Sequence, residues 1–223
     1  MDVETALLGR KSVRAYRAQP VPLEAVKAVL DVARHAPSGG NLQPWRMIVV
    51  SGDAKQNVTR LAQQVLAVNP RGEEGDYPIY PNPVRETYKA RRNQVGEDMY
   101  AILGIAREDK AARMMQMAQN FEFFGAPVAI FFVIDKAMGH GQWAHMGMLM
   151  QSICLAAHAQ GLATCMQEAW AMVRASLASH FELEDHEMVY CGLALGYEDT
   201  DAPINRLRTQ RAALNEIAVF HGF

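Results

Sequence analysis

APVAIFFVID, residues 126–135, and GQWAHMGMLMQSICLAAHAQG, residues 141–161, decide the fold between them. The first is a continuous apolar run rich in β-branched and aromatic side chains, which reads as a buried strand. The second is apolar nearly all round and too long for a strand, so it reads as a central buried helix that ends at Gly161. Working outward, residues 2–9 predict a short helix. Residues 21–35 predict a longer one, with Val26, Val29, Leu30 and Ala33 at helical spacing before Pro37 forbids continuation. RMIVVSGD (46–53) is a strand closed by a turn, and residues 54–68 form an amphipathic helix. Further helices are expected in pieces over 85–110, over 110–124 and over 171–181. LATCMQEA (162–169) is a weaker strand, and EMVYCGLALGY (187–197) is the best strand of the C-terminal half. The uneven order of strands and helices favours an α+β fold, a mixed and mainly antiparallel sheet flanked by helices, over a regular doubly wound one. One unit over 1–223 is expected. It carries a lid-like excursion over about 69–110, which begins with the Pro-, Gly- and Tyr-rich NPRGEEGDYPIYPN, and an extended tail over about 199–223.

A chain of 223 residues, 50% apolar, can bury one sizeable core. A net charge of −2 leaves no basic field for nucleic acid, although a few arginines can still hold one phosphate. Three widely spaced cysteines, Cys154, Cys165 and Cys191, fit neither a disulfide framework nor a zinc set, so a reducing, cytoplasmic setting is expected. The N-terminus does not read as a secretory signal, and no stretch is long enough to span a membrane. Neither of the two commonest nucleotide-binding signatures, G-x-G-x-x-G and G-x-x-x-x-G-K-[ST], occurs. His140 and His145 fall outside H-E-x-x-H, so no metal is proposed, and Ser38 lacks the surroundings of an acyl-transfer nucleophile.

Two segments carry chemistry. In GRKSVRAYR (9–17), an extended backbone projects Arg10, Ser12 and Arg14 to one side, a set suited to a phosphate monoester and an electron-rich ring edge. The same letters also describe a solvated basic stretch. In APSGGNLQPW (36–45), small residues and Ser, Asn and Gln amides suit the approach of a flat ligand. That segment equally describes a helix-ending turn with Gly39 or Gly40 at positive φ.

The combination R-x-S-x-R, spacer helix, A-P-S-x-x-N-x-Q-P-W and strand resembles the N-terminal signature of the FMN-dependent nitroreductase family. FFGAPVAIFFVID, GMLMQSICLAAHAQGLATC and GLALGYEDTDAPINRLRTQR resemble its later strand, central helix and basic tail, so the likeness covers nearly the whole chain. The resemblance implies a three-layer α+β fold in an intertwined homodimer with FMN at the subunit interface. Arg10, Lys11, Ser12 and Arg14 are then expected on the phosphate, ribityl and pyrimidine side. Pro37, Ser38, Gly39, Asn41 and Gln43 come from the other subunit, and Arg208 and Arg211 meet the phosphate. The family's Glu-Gly pair, whose N–H points at flavin N5, is Glu168-Ala169 here, with Gln167 and Trp170 beside it; a positive φ would strain the alanine. The implied activity is NAD(P)H-dependent reduction of nitroaromatic or quinone-like compounds by ping-pong hydride transfer. No side chain serves as a catalytic acid or base, because the flavin does the redox work. Tyr88, Phe121, Phe123, Phe124 and Trp170 are candidates to touch a small aromatic substrate, the phenylalanines being equally consistent with core. The same fold also hosts reductive dehalogenation, ene reduction and flavin breakdown, and a non-catalytic flavin-binding protein is a further alternative.

Overall fold

The computed structural model describes residues 1–75 and 77–223; Asp76, within the expected lid, lies outside the described residues. The run that opened the sequence reading is strand β2 (Val128–Asp135), buried at every position but its last. It pairs with β1 (Arg46–Ser51) on one side and β4 (Glu187–Gly196) on the other, and β3 (Ala163–Gln167) closes the sheet against β4. All three strand pairings are antiparallel. The mixed character expected of the sheet comes down to an isolated parallel bridge, Ser12 to Thr164, on the outer edge of β3.

Strand alternation explains why β2 has no polar face. Val128, Ile130, Phe132 and Ile134 join a core with helices α2 (Leu23–Ala33) and α6 (His140–Ala159). Ala129 and Phe131 join a second core on the opposite face, with α3 (Gly52–Val68) and α7 (Arg174–His180). The result is three layers, with both faces of the sheet covered. Each fully buried Phe, Ile or Leu contributes roughly 1.5–3 kcal/mol, so this double burial dominates the stability of the sheet. Gly192 on β4 is required by the packing, since a Cβ there would stand 2.5 Å from Trp170 Cδ1.

The remaining elements are α1 (Val3–Gly9), α4 (Glu86–Ile102), α5 (Lys110–Ala118) and α8 (Leu214–Ile217). Two expectations change. Residues 86–102 make one continuous helix where several pieces were expected. The helix expected over 110–124 stops at Ala118 and continues as a 3-10 turn, Gln119–Gly125, in which Phe123 and Phe124 take φ of 53° and 54°. Left-handed backbone at a bulky residue is strained by on the order of 1 kcal/mol or more. Here it directs both rings inward, where Phe123 stacks on Trp170 with centroids 4.5 Å apart. The tail begins docked, with Ile204, Asn205 and Leu207 buried, and is irregular beyond apart from α8. Among the described residues no helix is long and apolar enough to cross a membrane.

Candidate functional site

The basic segment is built as an edge strand. After α1 the backbone turns extended at Arg10, Val13 N–H donates to the Thr164 carbonyl at 3.0 Å, and Arg17 N–H donates to the Tyr197 carbonyl at 2.9 Å. Val13 is buried, so its neighbours Ser12 and Arg14 face the other way; Tyr16, in the register of Ser12 and Arg14, is buried as well, so the open side of the segment ends at Arg14. Arg10, Ser12 and Arg14 meet Arg208 and Arg211 of the tail around a cleft of about 310 Å³. One buried side chain, Asn205, joins the two segments. Its Oδ1 accepts from Arg14 N–H at 2.8 Å, and its Nδ2 donates to the carbonyls of Ala15 and Asp199, both at 2.8 Å.

The five cations of this region are not equivalent. The guanidiniums of Arg10, Arg14 and Arg208 have no hydrogen-bond or carboxylate partner among the described residues. Lys11, expected on the ligand, is committed elsewhere: its ammonium lies 2.5 Å from both the Glu198 carboxylate and the Asn205 carbonyl. Arg211 curls onto its own segment, donating to the Thr209 carbonyl at 3.0 Å. Behind the cleft, burial pushes the Cys165 thiol up to about 11 despite the opposing charge of Arg14. Burial also raises Cys154 and Cys191. All three thiols are therefore protonated at neutral pH and are poor nucleophiles.

The loop after α2 has a different construction. A short 3-10 turn, Gly39–Asn41, has Gly40 at φ 59°, while Asn41 and Gln43 take φ of 54° and 48°. Ser38 Oγ accepts from Gln43 N–H at 2.9 Å, and Asn41 N–H donates to the Ser38 carbonyl at 2.9 Å. One contact reaches outside the loop. Gly39 N–H donates to His145 Nε2 at 3.4 Å, which puts the ring proton on Nδ1, 2.9 Å from Gln142 Oε1 on α6. The side chains of Asn41 and Gln43 are exposed, and none of Pro37, Ser38, Gly39, Asn41 and Gln43 lines the arginine cleft of the same chain.

Gln167, Glu168 and Ala169 line a second cavity of about 530 Å³. Gln167 is buried; its Nε2 donates to the Asn120 carbonyl at 2.7 Å, while its Oε1 has no donor among the described residues. Desolvation raises the Glu168 carboxyl above its ordinary range. Ala169 sits in a 3-10 turn, Glu168–Val173, with φ outside the left-handed region, so it keeps its N–H without the strain expected of it. The aromatic candidates divide. Phe121, Phe123, Phe124 and Trp170 are core: they pack on one another and on Phe131, and burial leaves them no face for a substrate. Tyr88 is exposed on α4 and does not line this cavity. Tyr80, Tyr190 and the methionines Met117, Met150, Met166 and Met172 do, and sequence reasoning missed them. They lie in five separate segments that only the fold assembles, so no local spacing marked them. Among the described residues no group of three His, Cys, Asp or Glu side chains could hold a metal ion.

The sequence model of the Nitroreductase family matches residues 7–197. The nitrobenzene nitroreductase of Ectopseudomonas oleovorans is 34% identical over 218 residues, covering 98% of this chain and 96% of that protein. The 4-nitrobenzoate reductase of Pseudomonas putida is 32% identical over 223 residues, covering 100% and 96%. Among solved structures, the FMN and NADPH-dependent nitroreductase NfnB from Sphigopyxis sp. strain HMH superposes over the full length of both chains with a TM-score of 0.97 and 41% identity.

Proposed function

The chain belongs to the nitroreductase family, and from that premise we propose that it binds FMN and uses NAD(P)H to reduce nitroaromatic or quinone-like compounds by alternating hydride transfers. The observation that carries the reading is the cleft in which Arg10, Arg14 and Arg208 converge with Ser12 and, among the described residues, no carboxylate neutralises them. Three unpaired guanidiniums and a hydroxyl fit a phosphate dianion, and planar forks bind such a group through paired, charge-assisted hydrogen bonds. The buried Gln167 Oε1 without a donor is a second point of fit, since a heteroaromatic ring with N–H groups supplies the missing partner.

FMN, when bound, supplies the two-electron redox chemistry and the hydride-accepting atom. Arg10, Ser12 and Arg208 hold its phosphate, and Arg14 keeps a fixed positive charge at the pyrimidine edge, which favours the electron-rich reduced state. Ala169 offers its backbone N–H, and Gln167 fixes orientation through its anchored amide. The cavity beside them leaves room for nicotinamide and acceptor to enter in turn. A second copy of the chain completes the site by bringing Ser38, Asn41 and Gln43. Support for that dimer lies in the apolar surface left open, with Leu8 77% exposed on α1, Met114 69% on α5 and Phe220 64% in the tail. The three free, buried thiols suit a cytoplasmic setting.

The deciding experiment is an absorbance spectrum of the purified protein, followed by anaerobic titration with NADPH and then NADH. A flavin spectrum that bleaches with nicotinamide and returns on addition of a nitroarene is expected. Protein that stays colourless after reconstitution with FMN overturns the reading.

A further inference from the structure

The cavity beside Ala169 has an unusual lining. Four thioethers (Met117, Met150, Met166 and Met172) and two phenol rings (Tyr80 and Tyr190) surround it, and among the described residues its one charged side chain is Glu168. Thioether sulfur and aromatic faces attract flat, polarisable rings. The amides of Asn120 and Gln167 are neutral. Among the described residues two cations lie close to this lining without forming part of it. Arg174 donates through Nε to the Val189 carbonyl at 2.6 Å and lies 4.3 Å from the Tyr77 ring centroid, behind the wall. Arg92, on α4, stacks 5.1 Å from the Tyr80 ring centroid. A ring bearing a carboxylate that enters here must shed water beside a like charge, with no cation in the lining to pair with it.

From this we infer that the acceptor reduced at this site is an electrically neutral nitroarene, and that Glu168 discriminates against nitroarenes that carry a carboxylate. The inference rests on the flavin reading above and deepens it by choosing between the acceptors for which the two relatives are named. Glu168 here sets specificity through its charge.

The test compares three nitroarenes on the FMN-loaded enzyme with saturating NADPH near neutral pH: nitrobenzene, 4-nitrobenzoate and methyl 4-nitrobenzoate. The ester matches the acid in size and removes its charge. Expected is a kcat/KM for nitrobenzene and the ester about tenfold or more above that for 4-nitrobenzoate. Glu168→Gln is expected to shrink the ester-to-acid ratio by about tenfold, and Glu168→Lys to reverse it. Because each ratio is taken within one preparation, changes in flavin content or hydride transfer cancel. An ester-to-acid ratio unmoved by Glu168→Gln overturns the inference. So does a wild-type preference for 4-nitrobenzoate, and its loss in Arg92→Ala would then make Arg92 the carboxylate anchor. Failure of the flavin reading looks different: NADPH oxidation is stimulated by none of the three compounds, and this inference falls with it.

Discussion

In residues 10–17, Val13 and Tyr16 are sunk into the core and the backbone is pinned at Val13, Arg14 and Arg17 by partners far along the chain. In residues 36–45, only Pro44 is buried, and apart from the Gly39 contact to His145 the backbone hydrogen bonds stay within the loop or reach back to the end of α2. Both segments present polar side chains toward open space, Arg10 and Arg14 from the first and Asn41 and Gln43 from the second, but those side chains mean different things. The guanidiniums of the first face a cleft that the same chain closes with its tail. The amides of the second face solvent from a backbone already fixed in uncommon conformations. The first segment forms a cleft within one chain; the second is a preorganised loop outside that cleft, which on the proposed reading serves a second copy of the chain.

The sharpest way to break this comparison is to remove what makes the first segment rigid. Asn205→Ala deletes a buried side chain with three backbone hydrogen bonds, at Arg14, Ala15 and Asp199. A loss of about 3 kcal/mol in unfolding free energy is expected, along with most of the FMN affinity. Asn205→Asp should do nearly as badly despite its equal size, because it turns an oxygen toward two carbonyls that need a donor. A urea midpoint close to wild type in both variants would mean that the tail does not hold the strand.

Next in size is a contrast within the cleft. Arg208→Ala removes an unpaired guanidinium and should weaken FMN binding roughly 10- to 100-fold while leaving the unfolding midpoint in place. Lys11→Ala should do the opposite. It breaks the pair with Glu198, which costs about 1 kcal/mol of stability or less, and barely changes FMN affinity. Isothermal titration with FMN and thermal melts of the same two preparations check both halves. Equal losses of FMN affinity would show that Lys11 leaves Glu198 when the ligand arrives.

Asn205 and Lys11 also show what a sequence leaves hidden. The apolar runs 126–135 and 141–161 announced β2 and α6 because their chemistry is continuous and local, and the alternation of Arg10, Ser12 and Arg14 was legible for the same reason. Asn205 was invisible as the joint of the cleft, since the partners it holds in the basic segment, Arg14 and Ala15, are some 190 residues away in sequence. Lys11 looked like one more ligand cation because its neighbour Glu198 is equally remote. The phenylalanines of QNFEFFG read equally as pocket or as core in the sequence, on a segment expected to be helical. Two left-handed residues break that helix and send the rings into the core, which no periodicity could reveal.

The smallest effect decides where the loop belongs. Asn41→Gly preserves the φ of 54°, so unfolding free energy should stay within about 0.5 kcal/mol of wild type. FMN affinity should fall about tenfold, the scale of one lost ligand hydrogen bond. That result alone does not say whose cleft the loop serves, and a mixed dimer does. Co-express one chain carrying Arg208→Ala with another carrying Asn41→Gly, each with its own tag, and isolate the heterodimer. If each loop serves the partner's cleft, one site joins the intact cleft of the Asn41→Gly chain to the intact loop of the Arg208→Ala chain, and the other site carries both defects. Half of the FMN then binds with wild-type affinity. If each loop serves its own cleft, every site has one defect and no FMN binds normally. Two-site titration of the heterodimer separates these outcomes, and a uniform weak isotherm would return the loop to the chain that carries it.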